Sequence, residues 1–252
     1  MRVRVCVLFL LASLASCSDS EANGPLVLAP SSMQGALDNA ADAWAGQGHE
    51  RPVLSFGASS AMARQVTHEA PADLFLSADE KWMDAVQDEG FIREGSRRNI
   101  AGNSLVLIAP QGAQVTVTFN DAESWNRALG NGRLAMGDPD AVPAGRYGKA
   151  SLEYYGLWQP LENRIAPAEN VRAALAMVER RTAPLGIVYA TDAKASDKVE
   201  IVLEFADESH PPIRYPAALI QSSQHPDARG FLDFLSGSEA SDIFRQHGFS
   251  AP

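Results

Sequence analysis

Cysteine is nearly absent: the 252-residue chain has two, Cys6 and Cys17, both within the first 17 residues. The rest can form neither a disulfide nor a thiolate metal site, so its stability must come from burial. A hydrophobic fraction of 46% over a chain of this length is enough to supply it. Positive charge is scarce as well, with 21 Lys+Arg against 31 Asp+Glu for a net charge of −10. A surface this acidic repels phosphate backbones and excludes nucleic acid as a partner. There is no tandem repeat, low-complexity tract or heptad array. The five histidines, His49, His68, His210, His225 and His247, stand in no recognisable triad context and form no pair at metal-ligand spacing. Asp138 and Asp140 flank Pro139 and read as turn residues rather than metal ligands.

What is present begins with an export signal. Arg2 and Arg4 precede the apolar run Val5 to Leu14, which is too short to span a bilayer, and small residues follow. Leu14-Ala15-Ser16-Cys17 resembles the bacterial lipobox, which makes residues 1–16 a signal peptide and Cys17 the lipidated first residue of the mature protein. The alternative is a soluble-protein signal with an incidental cysteine. Residues 17–24 are polar and suit a flexible tether. Loss of Arg2 and Arg4 leaves 19 Lys+Arg against 31 Asp+Glu, a net charge of −12.

The body alternates strand and helix patterns. Pro25 to Ala29 reads as a buried strand, and Met33, Ala36, Leu37, Ala40 and Trp44 follow at helical spacing. The unit recurs with Pro52 to Phe56 and Ser60 to His68, then with Ala72 to Leu76 and Asp79 to Gln87. Further strands are expected at Ser104 to Ala109, Arg133 to Met136, Leu185 to Ala190, Val199 to Phe205 and Ile213 to Ile220. Helices are expected at Asp121 to Leu129, Tyr147 to Trp158, Ala168 to Arg181 and Ala228 to His247, the last broken near Gly237. Such alternation predicts an α/β protein with a parallel, doubly wound sheet. The length fits one sheet or two smaller lobes alike.

Small hydroxyl residues follow the first three strands: Ser31 and Ser32, then Ser59 and Ser60, then Ser77. In an open α/β sheet these strand ends are where ligands sit, and each helix start offers unpaired N–H groups and a positive dipole end. Taken singly, each serine is more often an ordinary N-cap. The turn Gly137 to Gly145 and the stretch Ala166 to Val171 open two later helices in the same manner. Tyr189, ending the strand Leu185 to Tyr189, could add a phenolic donor, although by itself it reads better as a half-buried strand residue.

Gly57-Ala-Ser-Ser-Ala-Met-Ala-Arg-Gln65, Ala70-Pro-Ala-Asp-Leu-Phe-Leu-Ser-Ala-Asp79, Gly102-Asn-Ser-Leu-Val106, Gly137-Asp-Pro with Val142-Pro-Ala-Gly145, and Ala183-Pro-Leu-Gly-Ile-Val-Tyr189 occur in that order. Together they resemble the periplasmic molybdate-binding proteins of ABC importers, within the bacterial extracellular solute-binding proteins, over nearly the whole stretch from Leu26 to Phe249. The resemblance implies a two-lobe type II periplasmic-binding fold with the ligand cleft between lobes. Lobe 1 would be residues 25–101 plus 215–252 and lobe 2 residues 102–214, with crossovers near Gly102 and Tyr215. It implies no cofactor, molybdate or tungstate as ligand, and an ABC importer membrane permease as partner. The protein would be an exported, periplasmic monomer, touching the membrane only through a lipid at Cys17. Matching positions place ligand contacts at Ser32, Ser59 and Tyr189 and at the backbone N–H groups of Ala144 and Val171. The first motif departs from the family, because Ala29-Pro-Ser-Ser32 replaces an alanine-rich run before the serine; Ser31 and Ser32 both remain candidates.

Two other readings stand beside this one. A sulfate-type binder would share the fold. A serine hydrolase is suggested by Gly57-Ala-Ser-Ser-Ala61, which nearly matches a G-x-S-x-G nucleophile elbow but lacks the final glycine. The reading adopted is a binder and not an enzyme. Because the matched positions offer donors only, they suit a proton-free dianion better than hydrogen phosphate.

Overall fold

The computed structural model describes residues 24–252; the expected signal peptide, Cys17 and most of the tether lie outside them. The first body is built from β1 (Leu26–Pro30), α1 (Gln34–Gly46), β2 (Val53–Gly57), α2 (Ser59–Thr67), β3 (Leu74–Leu76), α3 (Glu80–Asp88) and β4 (Arg98–Gly102). The chain then crosses to a second body, comprising β5 (Leu105–Pro110), α4 (Ala122–Leu129), β6 (Leu134–Gly137), α5 (Pro143–Tyr154), α6 (Trp158–Leu161), β7 (Ile165–Ala168), α7 (Val171–Glu179), β8 (Leu185–Tyr189), α8 (Ala190–Lys194) and β9 (Val199–Glu204). It returns to the first through β10 (Arg214–Leu219), α9 (Ala228–Leu235) and α10 (Ser238–Gln246).

Each body has its own five-stranded sheet, ordered β2-β1-β3-β10-β4 and β7-β6-β8-β5-β9. The expectation of an all-parallel sheet is corrected. β1 is parallel to β2 and β3, and β6 to β7 and β8, but β10 runs antiparallel to β3 and β4, and β5 antiparallel to β8 and β9. The antiparallel strands are the ones that enter from the other body. They arrive without the covering helix that forces a right-handed parallel crossover, and so are free of that constraint.

Strand periodicity explains how the first sheet is covered. Val27, Ala29, Leu74 and Leu76 point to the side of Leu37, Ala40 and Trp44 of α1 and Phe231 and Leu235 of α9. Leu28, Phe75 and Ala218 point the other way, onto Met62 and Val66 of α2 and Met83 and Val86 of α3. Each buried large apolar side chain contributes roughly 1.5–3 kcal/mol, so both faces have to be covered. α1, α2 and α3 each follow a parallel strand and so begin at the edge where β1, β2 and β3 end, although they cover opposite faces; α9 follows the antiparallel β10 and begins at the other edge.

Two expected helices change their bounds. The helix expected from Tyr147 starts at Pro143, since proline at the first helical position loses no hydrogen bond, and ends before Gly156, whose φ of 67° terminates it. Ala168 to Arg181 divides into the end of β7 and α7, with the Asn170 side chain accepting from Ala173 N–H at 2.9 Å to cap the helix. The short strands β4 and β7 had no separate sequence signal.

Candidate functional site

Four helix starts meet at the seam between the bodies. On the first-body side, β1 runs into a 3-10 turn, Ser31–Met33, that leads to α1, and β2 runs into α2. The residues in the N-cap positions are Pro30 and Ala58, neither of which supplies a side-chain cap. On the other side α5 starts behind Val142, again without a side-chain cap. These apolar caps run against the strong preference for Ser, Thr, Asp or Asn. Asp79 does cap α3 and Asp121 caps α4, while α6, α9 and α10 also start without a side-chain cap. Asn170 caps α7 through its third N–H, so the N–H groups of Val171 and Arg172 have no acceptor within the helix.

The two serines are not N-caps of their helices. Ser59 is the first residue of α2, fully buried, and its Oγ accepts from Ala78 N–H at 2.9 Å. Ser32 is buried in the 3-10 turn, with Oγ 3.0 Å from the Tyr215 hydroxyl. Ser77, the third serine at a strand end, folds back on its neighbour, donating to Asp79 O at 2.7 Å. Ser31 is buried beside Ser32. The turn before α5 brings Ala144 close to the end of β6, because Gly145 lets the helix approach: a Cβ there would collide with the carbonyl oxygens of Gly137 and Asp138. Tyr189 is 1% exposed, and its hydroxyl has no hydrogen-bond partner among the described residues.

The turn Ser31–Met33 packs on α7, and the Tyr189 and Tyr215 rings lie 6.0 Å apart at 62°, which brings Ser32, Val171 and Tyr189 together. A cleft of about 450 Å³ lies between Ala58, Ser60 and Arg64 on one wall and Val142, Glu169 and Asn170 on the other, and so joins the starts of α2, α5 and α7. The bodies are bridged by Trp82 Nε1–H donating to Ala141 O at 2.8 Å, by Arg146 on Asp79 at 2.6 Å, and by Lys194 donating to Gln246 O at 2.8 Å.

Burial holds Tyr147, Tyr189 and Tyr215 well above the usual phenol range, so all three stay neutral O–H groups at physiological pH. Burial also raises the Asp79 carboxyl, against the pull of the Trp82 N–H and Arg146. Asp192, fully buried behind Tyr189, is pushed up to about 6 by desolvation, with Arg172 at 2.7 Å opposing the shift. Its Oδ2 accepts the Tyr189 N–H at 3.3 Å. The buried carboxylates near the donors are thus each matched by an arginine. Among the described residues no group of three His, Cys, Asp or Glu could hold a metal ion. Tyr215, Asn103, Trp82, Asp79 and Asp192 were not singled out from the sequence as parts of the site. Asn103 lies inside the Gly102-Asn-Ser motif, the one signal that could have drawn attention to it.

Two sheet-and-helix lobes joined by two crossovers, with uncapped helix starts and hydroxyl donors facing across the seam, define a two-lobe binding protein of the type II periplasmic class. The chain belongs to the bacterial extracellular solute-binding protein family, whose model matches residues 25–250. It is 43% identical to the molybdate-binding protein ModA of Escherichia coli K12 over 89% of this chain and 88% of that one. Identity to the molybdate-binding protein ModA of Haemophilus influenzae is 40%, covering 89% of each. Among solved structures, the periplasmic molybdate-binding protein of Azotobacter vinelandii superposes with a TM-score of 0.76 at 26% identity, over 90% of this chain and 99% of that chain.

Proposed function

We propose that this protein captures molybdate, and tungstate as an oxyanion of the same charge and shape, and delivers it to the membrane permease of an ABC importer. The observation that carries this reading is a set of donors without acceptors of their own: the Tyr189 hydroxyl, the first N–H groups of α2, α5 and α7, and Ser59, whose Oγ already accepts from the Ala78 N–H, with Ser32 Oγ paired to the Tyr215 hydroxyl. A proton-free dianion uses donors only. Ser32, Ser59 and Tyr189 would donate through hydroxyls, and Ala144 and Val171 through backbone N–H. Local dipoles then explain how an acidic protein binds an anion. The names of the E. coli and H. influenzae relatives point the same way.

The same reading sets lobe 1 as residues 25–101 plus 215–252 and lobe 2 as 102–214, consistent with where the two sheets exchange the chain. It takes the protein to be a monomeric, exported carrier and not an enzyme. The recorded partner of Ser59 Oγ is a backbone N–H rather than an imidazole, which favours a binder over a serine hydrolase. Lipidation at Cys17 rests on the sequence motif, and the intact mass of the native protein tests it. Calorimetric titration of the ligand-free protein with molybdate, tungstate, sulfate and phosphate tests the function. Molybdate and tungstate should bind tightly and the others weakly; tighter binding of sulfate or phosphate overturns the assignment.

A further inference from the structure

Asn103, in the first crossover, sits at the head of a chain of hydrogen bonds that ends at Ser32. Its Oδ1 accepts the backbone N–H of Ser104 at 3.0 Å. A backbone N–H can only donate, so this contact fixes which end of the amide is oxygen. The Nδ2 group then faces two hydroxyls, donating to Thr191 Oγ1 at 2.9 Å and to the Tyr215 hydroxyl at 3.1 Å. Tyr215 is fully buried. Having accepted from Asn103, its own proton has one recorded acceptor among the described residues, Ser32 Oγ at 3.0 Å; leaving that proton unpaired would cost about 1–3 kcal/mol. Each link therefore sets the direction of the next.

We infer that Asn103 and Tyr215 are specificity-determining residues that set the polarity of Ser32: Tyr215 donates to one of the two lone pairs of Ser32 Oγ and so leaves the serine proton free for the bound oxyanion. Ser59 is set the same way by the Ala78 N–H. A site whose hydroxyl protons are all left free for the ligand favours a proton-free dianion over a protonated anion such as hydrogen phosphate, which needs an acceptor for its own proton. The relay joins Asn103 in one crossover to β10 of the first lobe, where the second crossover ends, and to Thr191 of the second lobe, so the polarity is fixed where the lobes meet. This inference rests on the proposed oxyanion site, with Ser32 as a contact.

The test is a double-mutant cycle of Asn103→Asp and Tyr215→Phe, with molybdate and phosphate titrated calorimetrically into each folded variant at pH 7 to 8. An aspartate at position 103 accepts from Tyr215, so Tyr215 accepts from Ser32 and the serine proton turns away from the ligand. Molybdate affinity should fall about a hundredfold, and adding Tyr215→Phe should recover about tenfold by cutting the relay while keeping the charge. A purely coulombic effect of the new carboxylate gives no recovery and overturns the inference, as does an unchanged Asn103→Asp. If Asn103→Asp does not fold, Tyr215→Phe decides alone: the ratio of molybdate to phosphate affinity should drop about tenfold as Ser32 becomes free to rotate, and an unchanged ratio refutes the relay. Failure of the unsubstituted protein to bind molybdate refutes the proposed function instead, so the two failures are distinguishable.

Discussion

Tyr189→Phe should move stability and affinity in opposite directions. The Tyr189 hydroxyl is buried, held neutral, and without a partner among the described residues. A buried hydroxyl without a partner costs about 1–3 kcal/mol, and phenylalanine removes that cost while keeping the ring that packs on Tyr215. The ligand-free variant should be more stable by about 1 kcal/mol or more, which for a body of this size raises the melting temperature by about 2–4 °C per kcal/mol. Binding goes the other way. A hydrogen bond to a charged acceptor contributes about 1.5–3 kcal/mol, so molybdate affinity should fall about ten- to a hundredfold. Differential scanning calorimetry on stripped protein and isothermal titration with molybdate measure the two effects separately. A variant that is less stable without ligand and binds as tightly as the parent would show that Tyr189 is a packing residue and that its hydroxyl does not face the oxyanion.

Ser59→Ala should lose on both counts, since it removes a ligand donor and strands the buried Ala78 N–H; calorimetry should show affinity down about ten- to a hundredfold and stability down about 1–3 kcal/mol. Arg64→Gln, and Asp79→Asn combined with Arg146→Gln so that no buried carboxylate is left unpaired, should each cost less affinity than Ser59→Ala. A larger loss from either would mean that free cationic charge holds the anion. Asp192 titrates near 6 in the folded protein, above its ordinary carboxylate value, so its stabilising contribution is present at low pH and is lost as pH rises through about 6. Urea unfolding from pH 4 to 7 should therefore show the parent losing stability relative to Asp192→Asn as pH increases, and a trend of opposite sign would contradict the assigned burial.

The sequence by itself determined most of the elements, short strands such as β4 and β7 apart, and the chemistry of the strand ends. The alternation of Val27, Leu28 and Ala29 and the spacing of Leu37, Ala40 and Trp44 are local patterns, and β1 and α1 lie where those patterns put them. The serines after β1 and β2 were legible for the same reason: a residue following a strand and preceding a helix has its neighbourhood set by the adjacent backbone. Pairing direction was not legible, because β5 and β10 read as ordinary strands and became antiparallel only through the crossovers that deliver them. Tertiary structure also decided the direction of each hydrogen bond. Ser32 lies 183 residues from Tyr215, and Asn103 lies 88 from Thr191. No local pattern encodes which of two hydroxyls donates. That choice is made by the one group in the relay with no freedom, the Ser104 backbone N–H, and it reaches Ser32 only because folding lines up the side chains between them.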